Sequence, residues 1–182
     1  MQNYRSIIGS VLFIFILAHS INAQNKYIGV KNCTMCHKTD KQGKQLDIWK
    51  NSEHSKAYIT LTTKKADEIA KAKGLKKPAA ESPECLECHV SGYGIDAKFL
   101  DKNFDYKDGV QCETCHGAGS EYKTLQIMKD RKKAVAAGMR EFKDTAAIEK
   151  FCKTCHNEKS PSYKEFKFNE RWEKIKHPVP TK

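Results

Sequence analysis

The chain has 182 residues, 39% of them hydrophobic and 30% charged, with a formal net charge of +11. That length suits one ordinary domain, and no stretch beyond the N-terminal leader is apolar enough to cross a bilayer, which takes about 20 residues. Such a basic balance gives solubility and draws acidic partners; nucleic acid is a poor fit for a chain that also carries an export signal.

The leader comes first. Arg5 sits in a short charged region, Ile7 to Ala18 is apolar, and Ile21-Asn22-Ala23 offers a small residue for cleavage. Residues 1–23 read as a secretory signal peptide, which places the mature protein, residues 24–182, in a bacterial periplasm or at the cell exterior. No cysteine lies near the cleavage site, so no lipid anchor is expected, and no transmembrane anchor remains after cleavage.

Four copies of Cys-x-x-Cys-His then account for all eight cysteines: Cys33-Cys36-His37, Cys85-Cys88-His89, Cys112-Cys115-His116 and Cys152-Cys155-His156. A zinc reading would join the motifs in pairs as two Cys₄ sites and leave the four histidines unexplained. A disulfide reading balances the even count, but bridges within Cys-x-x-Cys are redox-active rather than structural. The pattern is that of c-type haem attachment: both thiols bond the haem vinyl groups and the adjacent histidine ligates the iron. Four covalently attached haem c groups are expected. About 40 residues per haem is too little for thick protein walls in a single domain. The haems themselves must therefore be most of the core, packed close to one another.

Between the motifs the chain reads as helix and loop. Lys38 to Lys44 is a polar connection, and Leu46 to Leu61 predicts a helix. Ala66 to Ala72 predicts a short helix stopped by Gly74, followed by a loop over Lys76 to Pro83. Ala97 to Leu100 and Asn103 to Tyr106 are either a small hairpin or loops. Glu121 to Ala137 is the longest predicted helix, closed by Gly138. Thr145 to Phe151 predicts a helical turn or two, and Asn169 to Lys176 a final helix with Asn169 as N-cap and Pro178 as stop. The expected fold is mainly α: short helices and loops wrapped around four closely packed haems, in one domain.

The histidine count limits the iron ligands. Seven are present; His19 leaves with the signal, and His37, His89, His116 and His156 are proximal. Only His54 and His177 remain, and both are taken as distal ligands. Four irons have eight axial positions, so at least two irons are open or hold another ligand. Met128, Met139 and Tyr122 are the candidates; Met35 lies inside an attachment loop, on the wrong side of its own iron. Met128 and Met139 also read as core residues and Tyr122 as a packing aromatic.

These residues resemble the tetrahaem cytochrome c-554 family. The shared elements are Cys33-x-x-Cys36-His37 with Trp49-x-x-Ser52-x-His54-x-x-Ala57, and Cys85-x-x-Cys88-His89-Val90-x-Gly92-x-Gly94. Two more follow: Gly109-Val110-x-Cys112-Glu113-x-Cys115-His116-Gly117-x-Gly119, and Phe166-Lys167-Phe168 leading to His177. The resemblance implies an electron carrier that, in the family, accepts electrons from hydroxylamine oxidoreductase. It implies His54 as distal ligand of the fourth haem, His177 as distal ligand of the third, and a five-coordinate second haem. A family histidine shortly after the third motif serves the first haem; here Ser120 to Lys133 contains none. Electron transfer between redox partner proteins, docked through an acidic partner surface, is the expected function. The alternative is an enzyme or gas binder acting on nitric oxide, hydroxylamine, nitrite or peroxide at an open iron.

Overall fold

A computed structural model of the chain describes residues 24–178; the leader expected over 1–23 lies outside the described residues. The described residues form short helices and turns, with no named strand among them. Backbone pairing of the sheet type is limited to a parallel bridge between Tyr27 and Leu100. The fold is mainly α, as expected.

The first haem motif lies on α1 (Val30–Thr34) and the turn after it. Next come α2 (Gln45–Asn51) and α3 (Ala57–Leu61), where one helix was expected over 46–61. Serine chemistry breaks that helix. Ser52 Oγ donates to Trp49 O at 2.7 Å, and Ser55 Oγ donates to both Lys50 O and Ser52 O at 3.0 Å. These local bonds compete with the helical ladder, and Ser52 turns to extended backbone.

In α4 (Lys64–Ala72) the Thr63 hydroxyl accepts from the Ala66 amide, an N-cap the sequence reading did not include. Gly74 ends the helix at φ 72°, and the Leu75 amide donates back to Ala70 O. Leu61, Ala70 and Ala79 then form a small apolar cluster with Ala66, Leu75, Ala80, Cys85 and Leu86. This cluster seats α4 against α5 (Pro83–His89), the helix of the second motif, which starts on a proline suited to its first position.

The segment from 97 to 108 takes the loop alternative. Asp96, Asp101 and Asp105 each accept, through Oδ1, from the amide two residues on. Three such Asx turns bend the chain locally and leave no run extended enough for a hairpin. The third motif fills α6 (Cys112–His116).

The helix expected over 121–137 is again two, α7 (Leu125–Met128) and α8 (Arg131–Ala136). Asp130 separates them, because its carboxylate caps α8 by accepting from the Lys133 amide at 3.2 Å. Gly138 closes α8 at φ 100°, as expected. Asp144 caps α9 (Thr145–Cys152), which delivers the first cysteine of the fourth motif. Last is α10 (Phe168–Ile175), one residue earlier than expected; Asn169 lies inside it, and Lys167 precedes it without a side-chain cap.

The longest of these helices has nine residues, and isolated helices that short are marginal in water. Their packing partners are few. The buried apolar residues among those described are Ile28, Val30, Leu61, Ala70, Ala79, Val90, Tyr122, Ala134 and Phe168. A third of that set is alanine, so side chains alone make a thin core.

Candidate haem-binding site

The four attachment motifs are drawn together by their own residues. Glu113, a spacer inside the third motif, is buried, and its carboxylate accepts from the amides of Ile28, Gly29 and Gly119 at 2.7–3.1 Å. Gln111 is also buried; its Oε1 accepts from the Val30 amide at 2.8 Å and its Nε2 donates to Asp105 O at 2.8 Å. The amides of Gly29 and Val30 open α1 and would otherwise be orphan donors. Residues of the third motif therefore cap the helix of the first, across more than 80 residues of chain. Gly29, at φ 79°, has to be glycine: a Cβ there would meet Asn103 O at 2.7 Å.

The thiols follow the same pairing. The Cys33 and Cys112 thiols are neighbours, which raises the first and lowers the second. Burial, then Cys155, pushes the Cys88 thiol up to about 12, and burial, then Cys152, pushes Cys115 up to about 11. Burial also raises Cys85 and Cys152. All eight cysteines are unpaired. First motif thus meets third, second meets fourth, and third meets fourth.

His54 is placed by a crossing of two chain segments. Its carbonyl accepts from the Val110 amide at 3.0 Å, and Trp49 Nε1 donates to Val110 O at 2.8 Å. Gly109, at φ 71°, allows the approach, since a Cβ would sit 2.6 Å from His54 O. The imidazole that results is half-buried, and its centroid lies 6.0 Å from that of His156, the planes 43° apart. Phe166 stacks on His156 at 4.6 Å and 11°. Phe168, buried at the start of α10, packs on Trp172 and directs the helix toward His177. His177 lies 5.7 Å from His116, with planes 29° apart. Gln45 Nε2 donates to Pro178 O at 3.1 Å and ties that end to the segment after the first motif.

Both histidine pairs suit one iron between two rings. Each imidazole sits about 2 Å from a metal through a ring nitrogen, which puts facing centroids roughly 6 Å apart. Burial first, then neighbouring cationic or imidazole groups, lowers His54, His116 and His156, with His116 pushed down to about 4. Burial likewise lowers His177. Neutral imidazole is the form that ligates a metal.

The remaining motif histidines differ from each other. His89 Nδ1 lies 2.8 Å from Ala57 O. A carbonyl only accepts, so Nδ1 carries the proton and Nε2 is left for a metal. His37 Nδ1 is buried without a hydrogen-bond partner. Tyr122 is buried, and its hydroxyl donates to Gly117 O at 2.6 Å, so it serves as a packing and hydrogen-bonding residue. Met128 and Met139 are half-buried on and after the α7–α8 pair.

Among the described residues, no three His, Cys, Asp or Glu side chains converge as a metal-ion cluster, which the zinc reading requires. The residues instead fit haem. Each motif puts two thiols and an imidazole within one or two turns, two imidazole pairs stand at iron-spanning distance, and a hollow of about 430 Å³ lies against His156, Asn157 and Tyr163. The thin side-chain core leaves room for the same group. These features define a c-type cytochrome, a protein that holds haem c covalently.

Comparison with known proteins agrees. Residues 32–117 match the family described as cytochrome c554 and c-prime. Cytochrome c-554 of Nitrosomonas europaea is 29% identical over 160 residues, which is 82% of this chain and 66% of the relative. The chain therefore spans just under two thirds of that relative's length. No solved structure matches. Both likenesses support the cytochrome c-554 family for this chain.

The sequence reading missed Glu113 and Gln111 as organising residues. Glu113 was visible as part of a shared motif, yet nothing local marks a carboxylate between two cysteines as a helix cap for a segment far away.

Proposed function

We propose that this chain is a tetrahaem electron carrier that works in a bacterial periplasm. Residues 1–23 are removed as a signal peptide and 24–182 form the haem domain. Cys33, Cys36, Cys85, Cys88, Cys112, Cys115, Cys152 and Cys155 attach four haem c groups. His37, His89, His116 and His156 are their proximal ligands. His177 completes the third haem and His54 the fourth. Each haem iron supplies one-electron ferric–ferrous chemistry.

The observation that carries this reading is the contiguity of the four motifs. The first motif meets the third, and the second is tied to the third through Ser91, whose Oγ accepts from the Gln111 amide at 2.6 Å; neighbouring haems would then be close enough to pass electrons. Buried hydrogen bonds hold the first motif against the third, and burial disfavours the charged form of His54, His116, His156 and His177. No helix among the described residues is long and apolar enough to cross a membrane, in keeping with an exported carrier. The lysines fit a partner with an acidic docking surface.

Rapid mixing of the oxidised holoprotein with a reduced, acidic redox protein tests the proposal. All haem should be reduced in a concentration-dependent phase and reoxidised by a second carrier. Haem that stays oxidised while the rest equilibrates would show that the four do not form one relay.

A further inference from the structure

The first haem stands apart from the third and fourth. Residues 24–182 contain six histidines, four of them proximal. The structure places both others: His54 faces His156 and His177 faces His116. His37 and His89 are left with no facing histidine. The family resemblance anticipates an open iron at the second motif, but it expects a histidine after the third motif for the first. Here Ser120 to Lys133 has none. This stretch is also folded differently from the long helix that the sequence suggests, as α7 and α8 with the Asp130 cap between them. Tyr122 in the same stretch is occupied, its hydroxyl donating to the carbonyls of His116 and Gly117. A phenol donating its proton to a peptide oxygen is not a tyrosinate ligand.

The geometry points to His37 as the one residue of this chain that ligates the first iron, whose sixth position then accepts small exogenous ligands of the carbon monoxide and nitric oxide class. Together with the second haem this gives two ligand-accepting irons. The two sites differ. The His89 ring is held by its bond to Ala57 O, with Thr60 Oγ1 3.4 Å from the same nitrogen. The His37 ring has no such partner on its buried Nδ1. A proximal imidazole that donates to a carbonyl is the more basic ligand, so the two irons should bind the same gas with different affinities. The inference rests on the tetrahaem reading.

The test is ligand stoichiometry on the holoprotein, after intact mass has shown four haems and loss of the leader. Carbon monoxide titration of the reduced protein should give two molecules bound per four haems, in two affinity classes. Electron paramagnetic resonance of the oxidised protein at neutral pH should show two of four haems high-spin. His54→Ala and His177→Ala should each raise the carbon monoxide count to three, which assigns the remaining two open irons to the first and second haems. A count of one, or one high-spin haem with a far-red methionine–iron charge-transfer band lost in Met128→Leu or Met139→Leu, overturns the inference and leaves the tetrahaem reading standing. An unchanged count in either histidine variant overturns the assignment to the first haem. A mass showing fewer than four haems breaks the tetrahaem reading itself.

Discussion

Glu113 is the residue on which the account of the haem cluster most depends. Its carboxylate, buried between Cys112 and Cys115, accepts from three backbone amides, those of Ile28 and Gly29 ahead of the first motif and of Gly119 just after the third. Burial raises this carboxyl, and the amide donors pull it back. Removing the acceptor leaves buried donors unsatisfied, at about 1–3 kcal/mol each and less than additively. Glu113→Ala is expected to lower the unfolding free energy of the holoprotein by about 3 kcal/mol, measured by denaturant titration of the Soret band. Glu113→Gln should cost less, since the amide oxygen still accepts. Equal, small effects from both would mean that the motifs are held together by the haems alone.

Helix by helix, the contrast between expected and observed structure has one theme: local polar chemistry shortens what apolar pattern suggests. Ends marked by glycine, such as Gly74 and Gly138, were legible because a left-handed residue is a local requirement. The breaks at Ser52–Lys56 and at Asp130 were not, because serine and aspartate are tolerated in helices until their side chains find a backbone partner. The four Cys-x-x-Cys-His motifs were legible because their spacing is local, and the structure places each on a helix or the turn after it. The facing of His54 with His156 could not be read from composition or spacing; the resemblance implied it, and its physical basis is the tight crossing at Gly109. Gly109→Ala adds a Cβ 2.6 Å from His54 O at a positive φ. It is expected to cost more than about 1 kcal/mol and to move part of one haem from low-spin to high-spin with no histidine changed. An unaltered magnetic resonance spectrum would show that His54 is not positioned by this crossing.

For the molecule as a whole, exposed lysines gather on the segment that covers the second motif. Lys64, Lys65, Lys71, Lys73, Lys76 and Lys77 are all exposed on α4 and the turn after it. The apolar cluster beneath them seats that segment on the second motif. On the proposed function, this lysine-rich segment beside the second motif is where an acidic partner would be steered. Replacing Lys71, Lys73, Lys76 and Lys77 by glutamate should slow bimolecular reduction by an acidic donor about tenfold or more at low ionic strength. It should also flatten the salt dependence. A rate that stays the same would place docking on another face.

The central claim is that each of the four motifs carries a haem. Intact mass spectrometry of the protein matured with its haem-attachment machinery, alongside a pyridine haemochrome assay, tests it most directly. The account predicts a mass equal to residues 24–182 plus four haems, with the haemochrome position of two thioether bonds per haem. A mass short by one or more haems, or eight cysteines that still react with alkylating agents after denaturation, would contradict it.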